Sequence, residues 1–262
     1  MSQKEYRAAE GISRSELFTI SKSPLHFKYQ QDHPKEDTKA LKFGRAVHKY
    51  ILENEDFYND YAVEPVCDRR TKEGKEAYQI FLDELWDKES ICEEDLNVIK
   101  EMYAAVQSNP LAAALLTGEH EKDFFWIDEE TGEKCKCRPD CLTEYEGKKY
   151  IVDYKSTDSC EDGHFERSCR KYGYKFQAGM YREGVFQNTY EDYGFAFVAQ
   201  EKTAPYAVRV YICSEEFINE GYDIYRELLG TYHYCKENGN WYGYEGITGY
   251  PDTLVGEGEI ND

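Results

Sequence analysis

Two aspartates and one lysine, close together in the sequence, could carry chemistry. Residues 134–143 and 149–156 read as two strands joined by a turn centred on Glu146-Gly147, and counting outward from that turn sets Asp140 opposite Asp153. Directly opposed side chains in an antiparallel pair lie about 5 Å apart on one face, where like charges repel. A divalent cation is the natural compensation, because hard carboxylate oxygens suit Mg²⁺, with water and substrate phosphate completing its shell. Strand alternation puts Lys155 on the same face and turns Val152 and Tyr154 away. A cation there acidifies a water and polarises a scissile phosphate, while the ammonium offsets charge growing on the phosphoryl oxygens. That is a phosphodiester hydrolase centre. The same residues also fit a solvent-facing hairpin on which Lys155 and Arg138 neutralise the aspartates, and a one-residue slip of register would turn a side chain to the other face.

The elements that must position this trio alternate in type. Residues 12–53 have helical spacing, with Ser13 or Ser15 as N-cap, a break at Ser23-Pro24, and a longer helix over 41–53 on which Gly44, His48 and Leu52 share a face. Residues 71–86 and 94–106 repeat apolar positions at three and four, and Asn109-Pro110 ends that stretch. From Lys122 the runs DFFWI, KCKCRPDCL and KYIVDYKS, separated by turn signals at Glu130-Thr131-Gly132 and Glu146-Gly147, predict a three-strand meander. A helix over 172–186, two strands (GFAFVAQ and YAVRVYI) joined through Ala204-Pro205, and a long helix over 215–236 follow. The expectation is one domain, 1–262: a mostly helical part (1–120), a catalytic sheet with helices (121–237), and a Gly-rich acidic tail (238–262). In that tail the Trp241-Tyr242-Gly243-Tyr244 cluster should dock and the last few residues should be loose.

The chain has 262 residues, 40% hydrophobic and 15% aromatic with 24 tyrosines, a globular composition. The formal net charge of −20 weighs against a polyanionic partner, since phosphate binding is driven by Lys and Arg. A local basic strip suffices, however. Arg14, Lys22, Lys28, Lys42 and Arg45 near the 41–53 helix, with Arg167, Arg170, Lys171 and Lys175, could form one, although a solvated helical face accounts for any of them singly. Nine cysteines, an odd number, and no apolar run in the first ten residues predict a reducing, cytoplasmic setting. No stretch approaches the ~20 apolar residues of a membrane span.

Four motifs follow one another in order: Gly44-x3-His48 in a helix, Arg138-Pro139-Asp140, Val152-Asp153-Tyr154-Lys155, and Gln177-x3-Tyr181 in the next helix. This order resembles the RecB-type subgroup of PD-(D/E)XK nucleases. The Cys-Arg-Pro-Asp-Cys run, the Ser-Lys-Ser-Pro segment and the late Trp-x-Gly-Tyr resemble more closely the nuclease domain of RecE-type (exodeoxyribonuclease VIII) prophage exonucleases, from about residue 13 to 244. The resemblance implies an α/β restriction-endonuclease-like core, a central mixed sheet of about five strands flanked by helices behind a helix-rich N-terminal part. It implies that Asp140 and Asp153 bind Mg²⁺, with Mn²⁺ as substitute, that His48 adds an imidazole and the Tyr154 carbonyl a further ligand, and that Lys155 is the catalytic lysine. Gln177 and Tyr181, one helical turn apart, would line the site and hold substrate or the lysine, and Glu121 would be an extra acidic member. The implied activity is 5′ to 3′ digestion of double-stranded DNA ends, leaving 3′ tails for a RecT-type annealing partner. The implied assembly is a ring-shaped homo-oligomer, such as a tetramer, with an acidic exterior and a basic lumen. An endonuclease or nickase, or a non-catalytic DNA-binding or assembly module on the same fold, are the alternatives. Some relatives of this group carry metal clusters, but Cys135, Cys137 and Cys141 lack zinc-knuckle spacing and alternate away from Asp140; with only Cys213 and Cys235 in the C-terminal segment, buried free thiols are expected.

Overall fold

A computed structural model describes residues 1–34 and 37–247. The helices are α1 (Gln3–Ala8), α2 (Arg14–Ile20), α3 (Pro24–Asp32), α4 (Lys39–Leu52), α5 (Phe57–Asp60), α6 (Lys72–Glu84), α7 (Glu93–Gln107), α8 (Pro110–Leu115), α9 (Asp162–Tyr172), α10 (Tyr174–Thr189) and α11 (Glu215–Asn238). The strands are β1 (Ile12–Ser13), β2 (Tyr61–Val63), β3 (Glu89–Ile91), β4 (Glu119–His120), β5 (Phe124–Ile127), β6 (Lys134–Cys137), β7 (Cys141–Tyr145), β8 (Lys148–Thr157), β9 (Gly194–Glu201) and β10 (Val208–Ile212). Local chemistry starts many of the helices. The Glu16 carboxylate reaches back to the Ser13 amide at 2.8 Å. Ser23 caps α3 with Pro24 in its first turn, Thr38 and Thr71 cap α4 and α6, and Asn109 caps α8 ahead of Pro110. The stretch after Asn109-Pro110 is thus a further short helix, and α9 is a second one that apolar spacing did not reveal.

The principal sheet is five-stranded and mixed, in the order β10-β9-β8-β7-β4. β8 runs parallel to β9 and antiparallel to β7. Alternation along β8 and β9 splits the core in two. Ile151, Phe195, Phe197 and Ala199 face α2, α3, α10 and α11, whereas Val152, Tyr154, Ala196 and Val198 face α4, α7 and α8. The sheet is therefore covered on both sides, as a buried β8–β9 pair requires. Phe27 stacks on Trp241 at 5.2 Å between ring centroids, so the aromatic cluster docks as expected. The terminal run GEGEIND lies outside the described residues. No described helix is long and apolar enough to cross a membrane.

The expected three-strand meander is not what forms. The run over 134–143 breaks: β6 pairs with β5 and β1 in a separate three-stranded sheet, and β7 begins the pairing with β8 in the principal one. Pro139 has no N–H to give to a ladder. Beside it the Arg138 guanidinium is buried, donating to Asp123 Oδ1 at 2.6 Å, Gln3 Oε1 at 2.6 Å and the Met1 carbonyl at 3.0 Å. The chain crosses from one sheet to the other at this point. Cys135 and Cys137 accordingly lie in one half of the core and Cys141 in the other, rather than on one common face, and all three are buried free thiols.

α10 and α11 cross at a pair of glycines. A methyl at Gly179 would overlap the Gly221 and Tyr222 backbone, and one at Gly221 would overlap the Lys175 carbonyl. Gly179→Ala is therefore expected to lower stability by about 1–3 kcal/mol through overpacking, measured as a shifted denaturant midpoint; an unshifted midpoint would mean that the helices separate without cost.

Candidate active site

Five segments converge at the β7–β8 end of the principal sheet. The observed pairs Cys141↔Val152 and Leu142↔Ile151 extend to Asp140 opposite Asp153, so the counted register holds. Asp140 itself sits in the bend before β7, and its Oδ2 accepts the Tyr154 amide at 2.8 Å. From α4, His48 places Nε2 2.9 Å from Asp140 Oδ2. From the bend after β4, Glu121 places Oε1 3.4 Å from His48 Nδ1. Glu121 has φ +50°, the left-handed region that residues with a Cβ rarely occupy, and its amide donates to the Asp140 carbonyl at 3.2 Å. From β8, Asp153 forms an ion pair with Lys155, and from α10 Gln177 donates to Asp153 Oδ1.

These carboxylates are deeply withdrawn from water, with Asp140 8% and Asp153 1% exposed. Burial opposes ionisation of Asp140, but the His48 charge, Lys155 and the Tyr154 amide outweigh it and hold the carboxyl below its ordinary value. Burial and the Asp140 charge push Asp153 up to about 6. Burial likewise raises Glu121, to about 7. For His48, burial works against the cation, yet Asp140 and Glu121 together lift it to about 9. One anion of the group is fixed, and its neighbours are poised to share protons.

His48, Glu121 and Asp140 present donor atoms that all lie within 4.8 Å of one another, the one such group among the described residues. Gln177 Oε1 is buried with no hydrogen-bond partner, an orphaned acceptor beside that group, whereas the buried Asp153 Oδ2 has only the Lys155 ammonium against it. Carboxylate oxygens with one imidazole suit a hard divalent ion such as Mg²⁺ or Mn²⁺. The residues present fit a cation. Asp153 stands outside the three-residue group, its oxygens engaged by Gln177 and Lys155.

The surface-network alternative does not describe this hairpin, since Arg138 turns to Asp123 and both aspartates are buried. The Tyr154 side chain is buried in the opposite face, its hydroxyl donating to Gln200 Oε1 at 2.7 Å. Tyr181 packs against the core without a hydrogen bond to the carboxylates, and burial followed by the Asp153 charge raises its hydroxyl well above the ordinary range. An added Cβ at Gly44 meets nothing within 4 Å, so packing does not demand glycine there. Among the basic residues, Lys28, Arg45 and Lys175 are paired with Asp32, Asp37 and Glu220. Arg14 is stacked 4.9 Å from the Phe18 ring, its Nε buried without a partner, and burial lowers its pKa. Lys22, Lys42, Arg167, Arg170 and Lys171 are exposed and have no carboxylate partner among the described residues. Sequence reasoning missed Tyr174, whose ring centroid lies 4.9 Å from Lys155 Nζ. Its place three residues before Gln177, on the same helical face, was the available signal.

His48, Glu121 and Asp153 all have folded pKa values above their ordinary ones, so each holds its proton more firmly folded than unfolded and loses stabilisation as pH rises between the two values. For His48 that stabilisation is complete below about 6.5 and gone above about 9. In a chelator the melting temperature is expected to fall across this window, and His48→Ala should flatten the fall. A wild-type profile already flat from neutral pH to 9 would contradict the assigned His48 environment.

Residues 13–250 match the model of the PDDEXK-like domain of unknown function DUF3799. No curated protein matches the sequence. Among solved structures, an exonuclease candidate from Eubacterium rectale superposes with a TM-score of 0.64 at 16% identity, over 98% of this chain and 96% of that one. A second, described as SSO0001, gives a TM-score of 0.32 at 14% identity over 72% and 86% of the two chains. The first likeness concerns the fold, and the second is too weak to argue from. With all of the converging residues inside the matched span, the mixed sheet covered on both faces and the paired acidic strands agree with one conclusion: this chain belongs to the PDDEXK-like domain family DUF3799.

Proposed function

We propose that this protein is a divalent-metal-dependent deoxyribonuclease that digests double-stranded DNA from 5′ ends and leaves 3′ single-stranded tails. The observation that carries the nuclease reading is the meeting of His48, Glu121 and Asp140 with the Asp153–Lys155 pair at one end of a PDDEXK-type sheet. End-directed digestion is supported by the resemblance of the Cys-Arg-Pro-Asp-Cys run, the Ser-Lys-Ser-Pro segment and the late Trp-x-Gly-Tyr to RecE-type exonucleases. A ring-shaped homo-oligomer and a RecT-type annealing partner rest on the same resemblance.

His48, Glu121 and Asp140 would hold Mg²⁺ or Mn²⁺, with Asp153 and the Tyr154 carbonyl as further donors. When bound, the ion supplies an acidified water and a polarised phosphate. The chain's own groups do the rest. The Tyr154 amide fixes the Asp140 carboxylate, and Gln177 fixes Asp153. Lys155, held between Asp153 and the Tyr174 ring, keeps its ammonium where charge grows on the phosphoryl oxygens. Tyr181 lies one turn beyond Gln177 and would flank the substrate. With a net charge of −20, DNA must approach along a local strip, for which the unpaired Lys22, Arg167, Arg170 and Lys171 are available.

End-labelled linear duplex should be degraded with Mg²⁺ and spared in chelator, while a covalently closed circle of the same sequence survives; rapid loss of the circle would establish an endonuclease instead. Lys155→Ala and Asp153→Asn should each lower the rate by at least about 10²-fold, the scale of losing one aligned charge-stabilising group. Activity surviving both changes would remove this site from consideration. Mg²⁺ affinity by calorimetry should rise with pH as Glu121 and His48 lose the protons with which the ion competes, and Asp140→Asn should abolish it. Equal affinity in wild type and variant would refute the ligand assignment.

A further inference from the structure

The junction between α9 and α10 adjoins Lys155. Gly173, at φ +65°, ends α9 and precedes α10, so Tyr172 and Tyr174 belong to different helices although one residue separates them. Their rings stack at 5.8 Å between centroids and 28° between planes, and the Tyr174 centroid in turn lies 4.9 Å from Lys155 Nζ. A short aromatic column therefore runs from the lysine to the outside, where Tyr172 is 43% exposed. The outer ring stands on a fixed backbone. The Arg14 guanidinium donates to the Tyr172 carbonyl, and a Cβ at Gly173 would come within 2.6 Å of the Phe18 ring, so the junction is tightly packed against α2.

An exposed tyrosine at the end of a helix is ordinary by itself. Here its surroundings point to a ligand. The protein carries a net charge of −20, yet residues 164–175 hold four basic side chains, Arg167, Arg170, Lys171 and Lys175, against the single acid Glu166. Lys175 is paired with Glu220, but Arg167, Arg170 and Lys171 are exposed and have no carboxylate partner among the described residues. The Lys171 ammonium lies 5.0 Å from the Tyr172 centroid, on a flexible side chain that can move to a phosphate. A flat aromatic ring beside such cations is the combination that binds single-stranded nucleic acid: bases stack on the ring while the cations follow the backbone. A paired duplex end fits less well, because one phenol ring covers a single base rather than a base pair. An acidic peptide would use the cations and leave the ring idle.

We propose that Tyr172 is a stacking platform for one unpaired base of the DNA strand that reaches the site, with Arg170 and Lys171 on the adjoining phosphates. The proposal rests on the nuclease reading for the identity of the strand, and adds to it the form in which that strand is held: single-stranded, gripped by a base as well as by phosphate. Because every base has a face to stack, the subsite grips without selecting sequence, as digestion along any DNA requires. A base on Tyr172 extends the column whose inner end is Lys155, so the subsite lies two rings from the ammonium.

The probe is a single-stranded oligothymidylate carrying 5-iododeoxyuridine at each of its first three positions in turn, bound to the full chain with Ca²⁺ in place of Mg²⁺ so that binding is read without turnover. Ultraviolet crosslinking of wild type followed by peptide mass spectrometry should mark Tyr172 from one of these positions, a readout that needs no variant to fold. By fluorescence anisotropy Tyr172→Ala should weaken binding about tenfold, the scale of one lost stacked base, whereas Tyr172→Trp should match or exceed wild type. An abasic sugar at the crosslinked position should cost wild type a similar factor and leave Tyr172→Ala unaffected. Arg170→Ala combined with Lys171→Ala should reduce the slope of log affinity against log salt by about 1.4, that of two single-strand phosphate contacts, and Tyr172→Ala should leave the slope in place. Failure of wild type to bind the oligonucleotide, a crosslink confined to other residues, a Tyr172→Ala chain that binds as tightly as wild type, an equal abasic loss in both proteins, or a salt slope untouched by the double variant would overturn the proposal, whether or not the protein digests DNA. A wild type that crosslinks at Tyr172 yet cuts no duplex in Mg²⁺ would instead refute the nuclease reading and leave the platform standing.

Discussion

The constraint on which this structure depends is that carboxylates cannot be carried into an apolar interior alone. Asp153 is almost wholly buried on a strand whose neighbours on that face include Ile151, Phe195 and Phe197. Desolvation of a charge costs several kcal/mol unless partners compensate it, and the partners come from separate places in the chain. Lys155 lies on the same strand, Gln177 comes from the helical layer on one side, and His48 reaches Asp140 from the helical layer on the other. The group exists only once the sheet has both of its covers. Because buried ion pairs are weak evidence for stability, their concentration here is better understood as preparation for a cation and an anionic substrate.

The crossing at Arg138–Asp140 builds the site as much as any regular element does. By leaving one sheet and entering the other, the chain frees Asp140 from the ladder, so that its carboxylate can lie across the Tyr154 amide and face His48. The left-handed turn at Glu121, tied to the Asp140 carbonyl, brings a second carboxylate to the same imidazole. Arg138, which on paper could neutralise the aspartates, instead holds the segments around Asp123 and α1 in place. Its other approach, to Glu121 at 3.8 Å, offsets part of the charge of the acidic group.

Much of the framework was legible. Apolar alternation located β8, β9 and β10, helical spacing located α4, α6, α7, α10 and α11, and the capping residues Ser13, Ser23, Thr71 and Asn109 marked boundaries close to where they fall. Two errors have physical causes. The run over 134–143 has strand composition throughout, but Pro139 and the buried contacts of Arg138 split it between sheets. α9 is largely polar and buries only Phe165, so its apolar period was too faint to reveal it.

For the site, sequence alone settled what strand geometry and local spacing transmit. The Glu146-Gly147 turn set the register that opposes Asp140 and Asp153, alternation put Lys155 beside Asp153, and one helical turn separates Gln177 from Tyr181. Tertiary packing decided what depends on distant segments. It turned His48 and Glu121 onto Asp140, tied Asp153 to Gln177 and Lys155 outside that group, and set Tyr174 beside Lys155. The division follows from range: backbone periodicity reaches only a few residues along the chain, whereas the protonation and partners of a buried carboxylate depend on which remote side chains the core brings against it.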